Sequence, residues 1–447
     1  MKRTPLMMGL EDQQIDVSDD LSEFDDADLE SDPNDTFDGF DLVSNIAGLQ
    51  SDLRDSHDLV AAATSLDQLE DYRENLMEKD EVSDDDMNNY QSMAEMAVGG
   101  NDPVEVGFMP VTENYGSNKM ALEAIGARNA VALESIHKQL EGIGASIKKR
   151  LRRLSFYFKA QWYKIQSLKK DLDKADFPTE GVSINLKVTN DLRYGDHSEC
   201  KTMDEYIKQF DIFVDFANKA TGELTAYGKE LTEKLKDSKK IFFKSNNATD
   251  DKKLIVDMIK DFHKSMLKLP TMHKANSGGS DRYWEVFVSQ TFIGEIYAEY
   301  RTALGDSHMG SEEDNSKIRS AVSKTTLNMK VVNSAVEKNT VRFEHVSKAD
   351  IHKSLDMYAR FWSDQNKHLE NINKLQDYWL DTSANMLPDS LGAGGVIRDA
   401  RKNLNTRLFI TDHMRMEVIG CAIQLYSRGD RQIDKGISMN KKIIWSA

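Results

Sequence analysis

The chain has few of the residues that staple or interrupt a fold. Its 447 residues include two cysteines and seven prolines. Cys200 and Cys421 stand too far apart in number and sequence to build a disulfide framework, which points to a reducing compartment. Scarce proline, 30% charged residues and frequent Lys, Glu, Leu and Met favour helices over a sandwich or barrel. No apolar run approaches the ~18–20 residues that span a bilayer. Lys2 and Arg3 are not followed by an apolar core, so the start does not read as a secretory signal, and a soluble chain made in a cytoplasm is expected. The ten histidines are scattered, with no His-Glu-x-x-His and no Cys-x-x-Cys, so no zinc site is expected. Gly392-Ala393-Gly394-Gly395 lacks the Lys-Ser/Thr of a phosphate loop and reads as a helix-flanking loop. No nucleophile–base constellation is legible. An enzyme is not expected, nor is a cofactor.

Bases are nearly missing from one end. Residues 1–134 carry 33 Asp+Glu against 7 Lys+Arg, a balance of −26, while residues 135–447 carry 42 against 51, a balance of +9; the two sum to −17. From Glu11 to Asp41 there are fourteen acids and no base. Such a density of like charge cannot bury enough apolar surface to offset the entropy of ordering, so a largely disordered leader is expected. One stretch departs from this. Phe37, Phe40, Val43, Ile46, Leu49 and Leu53 recur at three- and four-residue spacing, continued by Leu59, Ala62, Leu66 and Leu69, which predicts one or two short acidic amphipathic helices. A solvated tail and an intramolecular polyanion shielding a basic body both fit the acids.

The sign of the charge changes beside two triplets, Ala121-Leu122-Glu123 and Ala132-Leu133-Glu134, eleven residues apart. Helix-favouring composition alone can produce such a pair, and eleven residues is about three helical turns, which places both on one face. Their position at the reversal reads instead as a processing junction. A protease binds its target extended, so the stretch near Gly126 is expected to be exposed and non-helical.

From Ile136 the apolar residues step by three or four through Leu140, Ile143, Ile147, Leu151, Leu154, Phe158, Trp162, Ile165, Leu168 and Leu172, a helical stripe of about ten turns. Gly142 and Gly144 weaken it near its start, each by ~1 kcal/mol relative to Ala. Lys148, Lys149, Arg150, Arg152, Arg153, Lys159 and Lys164 crowd the other side, with Phe156, Tyr157 and Tyr163 between them. A core helix with a solvated basic side, a helix lying on an anionic membrane, and a helix holding nucleic-acid phosphates all suit this pattern.

Beyond Asp176-Phe177-Pro178, which ends that helix, helical spacing returns over Met203–Leu235 and Leu254–Leu267. Trp284, Val286, Val288 and Phe292 alternate, as do Leu327, Met329 and Val331, and then Val341, Phe343 and Val346. This predicts three or four short strands between about 283 and 346, interrupted by a polar loop from Gly305 to Ser316. Helices over roughly 348–381 and 396–427 follow, then a tail. The fold expected is mainly α: a helical body (helices within 135–270 and 348–427) with a small β-rich insert, preceded by the acidic segment 1–134.

At residues 117–165 the junction and the basic aromatic helix together resemble the internal head proteins of giant tailed phages of the phiKZ type. The resemblance is specific at the junction and general beyond it. It implies an acidic propeptide cut after an Ala/Ser/Gly-x-Glu triplet by the phage's prohead protease, and a body kept inside the DNA-filled head. Carried onto this chain, Glu134 precedes the cut and Ser135 follows it, with Ala132 two residues upstream of Glu134; at the second site the same places fall to Glu123, Ala124 and Ala121. The partners implied are the protease, other head or inner-body proteins and packaged DNA, with an anionic membrane met on ejection. The alternative is a peripheral membrane or non-specific nucleic-acid-binding protein using residues 143–165. Further small-x-Glu triplets stand at Gly9-Leu10-Glu11, Gly310-Ser311-Glu312, Ser311-Glu312-Glu313 and Ala335-Val336-Glu337.

Overall fold

The computed structural model describes residues 42–97, 117–187, 189–195, 197–242, 248–275, 285–303, 315–332, 340–386 and 396–446. The protein is mainly α. Helices α1 (Leu42–Met77), α2 (Asp84–Ala97) and α3 (Asn118–Lys174) come first. A short β1 (Val182–Lys187) and a two-residue hairpin, β2 (Arg193–Tyr194) and β3 (Ser198–Glu199), lead into α4 (Met203–Phe242) and α5 (Ala248–Leu267). Then come β4 (His273–Lys274), β5 (Glu285–Val288), β6 (Ile296–Thr302), α6 (Asn315–Ser323), β7 (Thr326–Val331) and β8 (Thr340–Val346). The long α7 (Lys348–Met386) and α8 (Val396–Ser446) complete the chain.

Helix α3 runs unbroken for 57 residues, roughly 85 Å at 1.5 Å per residue. Ser117 caps it in extended conformation, its hydroxyl accepting from the Met120 N–H at 3.3 Å. The expectation of a non-helical stretch near Gly126 is therefore corrected. Ala121, Leu122 and Ile125 carry the three-and-four spacing upstream of the charge reversal and are buried, so the helix has an apolar face there too. Gly126 lies half-buried beneath the Arg73 guanidinium, which a Cβ at that position would strike. Gly144 also has a packing reason: a Cβ there would fall 1.9 Å from a Leu380 methyl, so the glycine lets α7 approach α3 closely. Nothing in the structure explains Gly142.

Two apolar cores form. The main core gathers side chains from Leu42 to Ile443, with Phe158 stacked on Trp362 at 4.8 Å and set edge-on to Tyr426 at 4.9 Å. Among the described residues the satellite core gathers Leu69, Leu76, Val82, Met87, Tyr90, Ala94, Ala121, Leu122 and Ile125, with Tyr72, Met77 and Met93 packed against them. Helix α1, longer than the one or two short helices expected, spans both. Its first part places Leu42, Ile46, Leu49, Leu53, Val60, Ala63 and Leu66 in the main core. Full burial of a Leu or Val side chain contributes about 1.5–3 kcal/mol. Leu49, Leu53, Val60 and Leu66, each no more than 2% exposed, together rival the ~5–15 kcal/mol net stability of a typical protein. This part of the acidic segment is structural.

The sheets sit to one side. Strands β4-β5-β6-β7 pair antiparallel in that order, and β1 pairs antiparallel with β8, Ile184 opposite Phe343. Strand β7 is an edge, and α8 covers it: Glu417 Oε2 accepts from the Leu327 N–H and Gln424 Oε1 from the Met329 N–H, both at 2.6 Å. The expected strands are present as β5 to β8, although Trp284 lies outside the described residues. Phe292 lies outside the strands and makes an isolated bridge to Ile296. Of the loop expected from Gly305 to Ser316, residues 304–314 lie outside the described residues, and α6 begins at Asn315. The expected C-terminal tail is corrected: α8 continues to Ser446, with Ile433, Met439 and Ile443 buried. Charges interleaved from Arg428 to Lys435 disguise its apolar spacing.

Candidate processing site and basic face

Both junction triplets lie within α3, and they are held differently. At the first, Ala121 and Leu122 are buried, Ala124 is half-buried and Glu123 is exposed. Around them Glu70 of α1 accepts from Arg73 Nε at 2.9 Å and from Asn129 Nδ2 at 3.1 Å, while Arg73 Nη1 reaches the Leu122 carbonyl at 3.4 Å. This clamp ties residues 122–129 of α3 to α1. At the second, Leu133 is buried, Ala132 is half-buried, and Glu134 and Ser135 are exposed. Their side-chain bonds are local to the helix: Glu134 pairs with Lys138 at 2.7 Å, and Gln139 donates to Ser135 Oγ at 3.2 Å. The Lys138 hydrogen bond and charge hold the Glu134 carboxyl below the usual carboxylate range.

Residues 130–132 therefore bridge two anchorages, the clamp ending at Asn129 and the main core starting at Leu133. Val131 there is 68% exposed. A helical segment with few buried contacts opens locally at low cost, and a protease needs that opening to read an extended chain. The Glu134–Ser135 bond adjoins this stretch, between Leu133 and Ile136 of the main core, and lies beyond the clamp that holds the turn at Glu123–Ala124 to α1. The triplets at Gly9, Gly310, Ser311 and Ala335 lie outside the described residues.

The basic residues divide into two sets. Arg150 crosses the bare backbone of Gly48 to reach Asp52 of α1 at 2.8 Å, where Ser146 Oγ also donates at 2.7 Å. Lys148 pairs with Asp377 of α7 at 2.6 Å. These two brace helices. Lys164 faces Asp430 and Asp434 of α8; Asp430, which accepts from the Tyr157 hydroxyl at 2.8 Å, is pushed up to about 7 by burial and by Asp434. Lys149, Arg152, Phe156, Lys159 and Tyr163 are all exposed and step by three and four along one face, roughly 21 Å long. Lys159 sits 5.9 Å over the Phe156 ring, and half-buried Arg153 flanks the stripe. Lys149, Arg152, Arg153 and Lys159 form no ion pair among the described residues. Of the seven basic residues, Arg150 alone pairs with an acid of segment 1–134 among the described residues, so shielding by residues 42–97 is slight.

Sequence reasoning missed one polar centre altogether. His57 Nδ1 and Asp412 Oδ2 are 2.9 Å apart, and Asp412 Oδ1 accepts from Arg415 Nη2 at 2.7 Å. Arg415 also donates to Ser56 Oγ at 2.9 Å and Gln376 Oε1 at 2.8 Å, and its guanidinium lies 3.6 Å over Trp379. Burial works to raise the Asp412 carboxyl, but Arg415 and His57 outweigh it and hold it below the usual range. His413 next door donates from Nε2 to the Thr325 carbonyl at 2.8 Å and is pushed down to about 4 by burial and by His57. An acid–base pair of this kind invites a catalytic reading, but these side chains are buried in the packing of α1, α7 and α8, where no substrate reaches. The centre fastens α1 to α8. Ser56 and His57 lie 359 and 355 residues from their partners Arg415 and Asp412, so the centre leaves no motif.

A groove of about 990 Å³ opens between the sheet and α4, lined by Tyr194, Gln209, His273, Ser289, Tyr297 and Lys330 among others. Its cation, Lys330, is paired with Glu299 at 2.9 Å. Cys200 and Cys421 are buried with thiols pushed up by burial, Cys200 to about 12, which makes them poor nucleophiles. Among the described residues no cluster of His, Cys, Asp and Glu is placed to hold a metal, and no helix is long and apolar enough to cross a membrane. The chain matches no known protein family, no curated protein and no solved structure.

Proposed function

We propose that this protein is a structural, non-enzymatic component of a giant phage head, made as a precursor in the host cytoplasm and packaged with the DNA. The prohead protease cuts it after Glu134, with Glu123 as a slower second site. The observation that carries the reading is the coincidence of the −26 to +9 charge reversal with two small-x-Glu triplets, the second of which presents Glu134 and Ser135 exposed on α3 beyond the clamp that ends at Asn129. The body beginning at Ser135 meets packaged DNA and other head proteins, with phosphate contacts falling to the exposed stripe Lys149, Arg152 and Lys159.

The stripe also favours a second reading, in which Phe156 and Tyr163 enter the interface of an anionic membrane beside those cations. Flotation with anionic vesicles against retention on duplex DNA separates the two.

N-terminal sequencing of the protein from purified virions tests the assignment. A start at Ser135-Ile136-His137 is expected, and full-length protein in mature particles would overturn the processing. Glu134→Gln is expected to leave only slow cutting at Glu123, because the Glu70–Arg73–Asn129 clamp holds that turn closed.

A further inference from the structure

A cut between Glu134 and Ser135 leaves the satellite core, drawn among the described residues from 69–125, wholly on the N-terminal side, while the main core is built from both sides. Residues 42–66 of α1 fall on the same side but are seated in the main core, with Leu49, Leu53, Val60 and Leu66 buried. We infer that fragment 1–134 is not shed on scission but remains on the body as a non-covalent subunit, anchored by residues 42–66. The inference rests on the cut position given above and not on the identity of the protease.

The anchor buries an apolar face along its length and is pinned at three polar points, the first being Asn45 Nδ2, which donates to the Arg150 carbonyl at 3.2 Å. Asp52 takes Arg150 and Ser146 of α3, and His57 and Ser56 take Asp412 and Arg415 of α8. Withdrawing α1 would strip His57 from Asp412 and Ser56 from Arg415, both 0% exposed, and would uncover apolar surface of the main core where α1 packs on α3 and α8. Losing a partner from a buried charge and exposing a packed apolar face both oppose release. Charge attraction between an acidic leader and a basic body is a separate cause of retention, and it weakens with salt. Burial does not.

The test uses the full chain with a site-specific protease sequence inserted between Glu134 and Ser135, checked before cutting for the helical content and melting temperature of the parent. After cutting, gel filtration is expected to give one peak at the uncut position holding both fragments, equally at low and high salt. Separate peaks, or precipitation of the body with free fragment in solution, would overturn the inference, and loss of the shared peak at high salt would overturn burial as its cause. Val60→Asp in the same chain is expected to release the fragment once cut; continued retention would overturn α1 as the anchor. Should that variant fail to fold uncut, His57→Ala is read instead, by a fall in the urea concentration at which the nicked pair separates; no fall would overturn the pinning. If the insertion disturbs α3, the parent chain nicked by limited glutamyl endopeptidase, with its fragments identified by mass, gives the same readout. Virion protein uncut at Glu134 would overturn the processing reading while the nicked-chain result stands, so the two failures are distinguishable.

Discussion

The satellite core gathers its side chains from one stretch, residues 69–125, whereas the main core runs from Leu42 to Ile443. Among the described residues the satellite packs small and aliphatic side chains around the buried Tyr90 ring, on which half-buried Tyr72 stacks at 6.2 Å. The main core stacks Phe158 on Trp362, sets Tyr426 and Phe361 edge-on to them, and carries a charged centre at His57, Asp412 and Arg415. The difference is one of reach. A core closed within one segment can open by itself, while a core stitched from distant segments opens only with the whole molecule. Helices α1 and α3 belong to both, and the proposed cut after Glu134 falls on α3 just past Leu133, where the helix has entered the main core.

The largest effect is expected from Asp412→Ala, which leaves Arg415 buried without its carboxylate. Breaking such a pair costs about 3–5 kcal/mol. Urea unfolding followed by tryptophan fluorescence should show one transition at a lower midpoint, and an unchanged midpoint would remove this centre from the main core's account. Leu122→Ala comes next, at about 2–5 kcal/mol for a buried leucine. Its cost should stay local: amides within 69–95 and 118–129 exchange faster while those around Trp362 keep their protection. Equal loss of protection everywhere would mean one core, not two.

A smaller effect, dependent on pH, is expected at the covered sheet edge. Burial pushes the half-buried Glu417 carboxyl from 4.5 up to about 8, partly offset by the Leu327 N–H that it accepts. A folded-state pKa above the unfolded one means that the stabilising contribution is whole below 4.5 and is lost as pH rises through about 8. Glu417→Gln, still able to accept from Leu327, should therefore flatten the fall in stability over that window. Melting temperatures in a pH series check this, and parallel curves for the two proteins would refute it. His413 acts in the opposite direction. Pushed down from 6.5 to about 4, it contributes stability that is present above 6.5 and is lost as pH falls through about 4.

The smallest effect on stability is expected at the stripe. Replacing Lys149, Arg152 and Lys159 with glutamine should alter stability by no more than about 0.5 kcal/mol per site, as surface changes do. Salt-dependent retention on DNA should nonetheless weaken. The same replacement at Arg150 should loosen α1 instead, because that guanidinium is spent on Asp52.

Much of the helical plan was legible because a three-and-four spacing survives any context. The stripe through Leu140, Leu151, Phe158 and Leu172 marked α3, and alternation marked β5, β7 and β8, whereas β6 (Ile296–Thr302) was not singled out. What stayed hidden has particular causes. Strand β1 is a short run whose partner, β8, lies far along the chain, and pairing at that distance leaves no local signal. The end of α8 was disguised by charges between Arg428 and Lys435. The seven bases looked alike in the sequence because a lysine or arginine beside an apolar stripe is written the same way whether it braces a neighbour or faces water.

By itself the sequence determined the helical class and the charge reversal with its two neighbouring small-x-Glu triplets, since composition and spacing act through local propensity and long-range charge. Only the tertiary structure decided that residues 42–66 of the acidic segment are core, that the junction is helical, and that Arg150 and Lys148 are braces while Lys149, Arg152 and Lys159 stay exposed. Those outcomes depend on which distant surface each side chain meets, and burial is a property of the assembled chain rather than of any stretch of it.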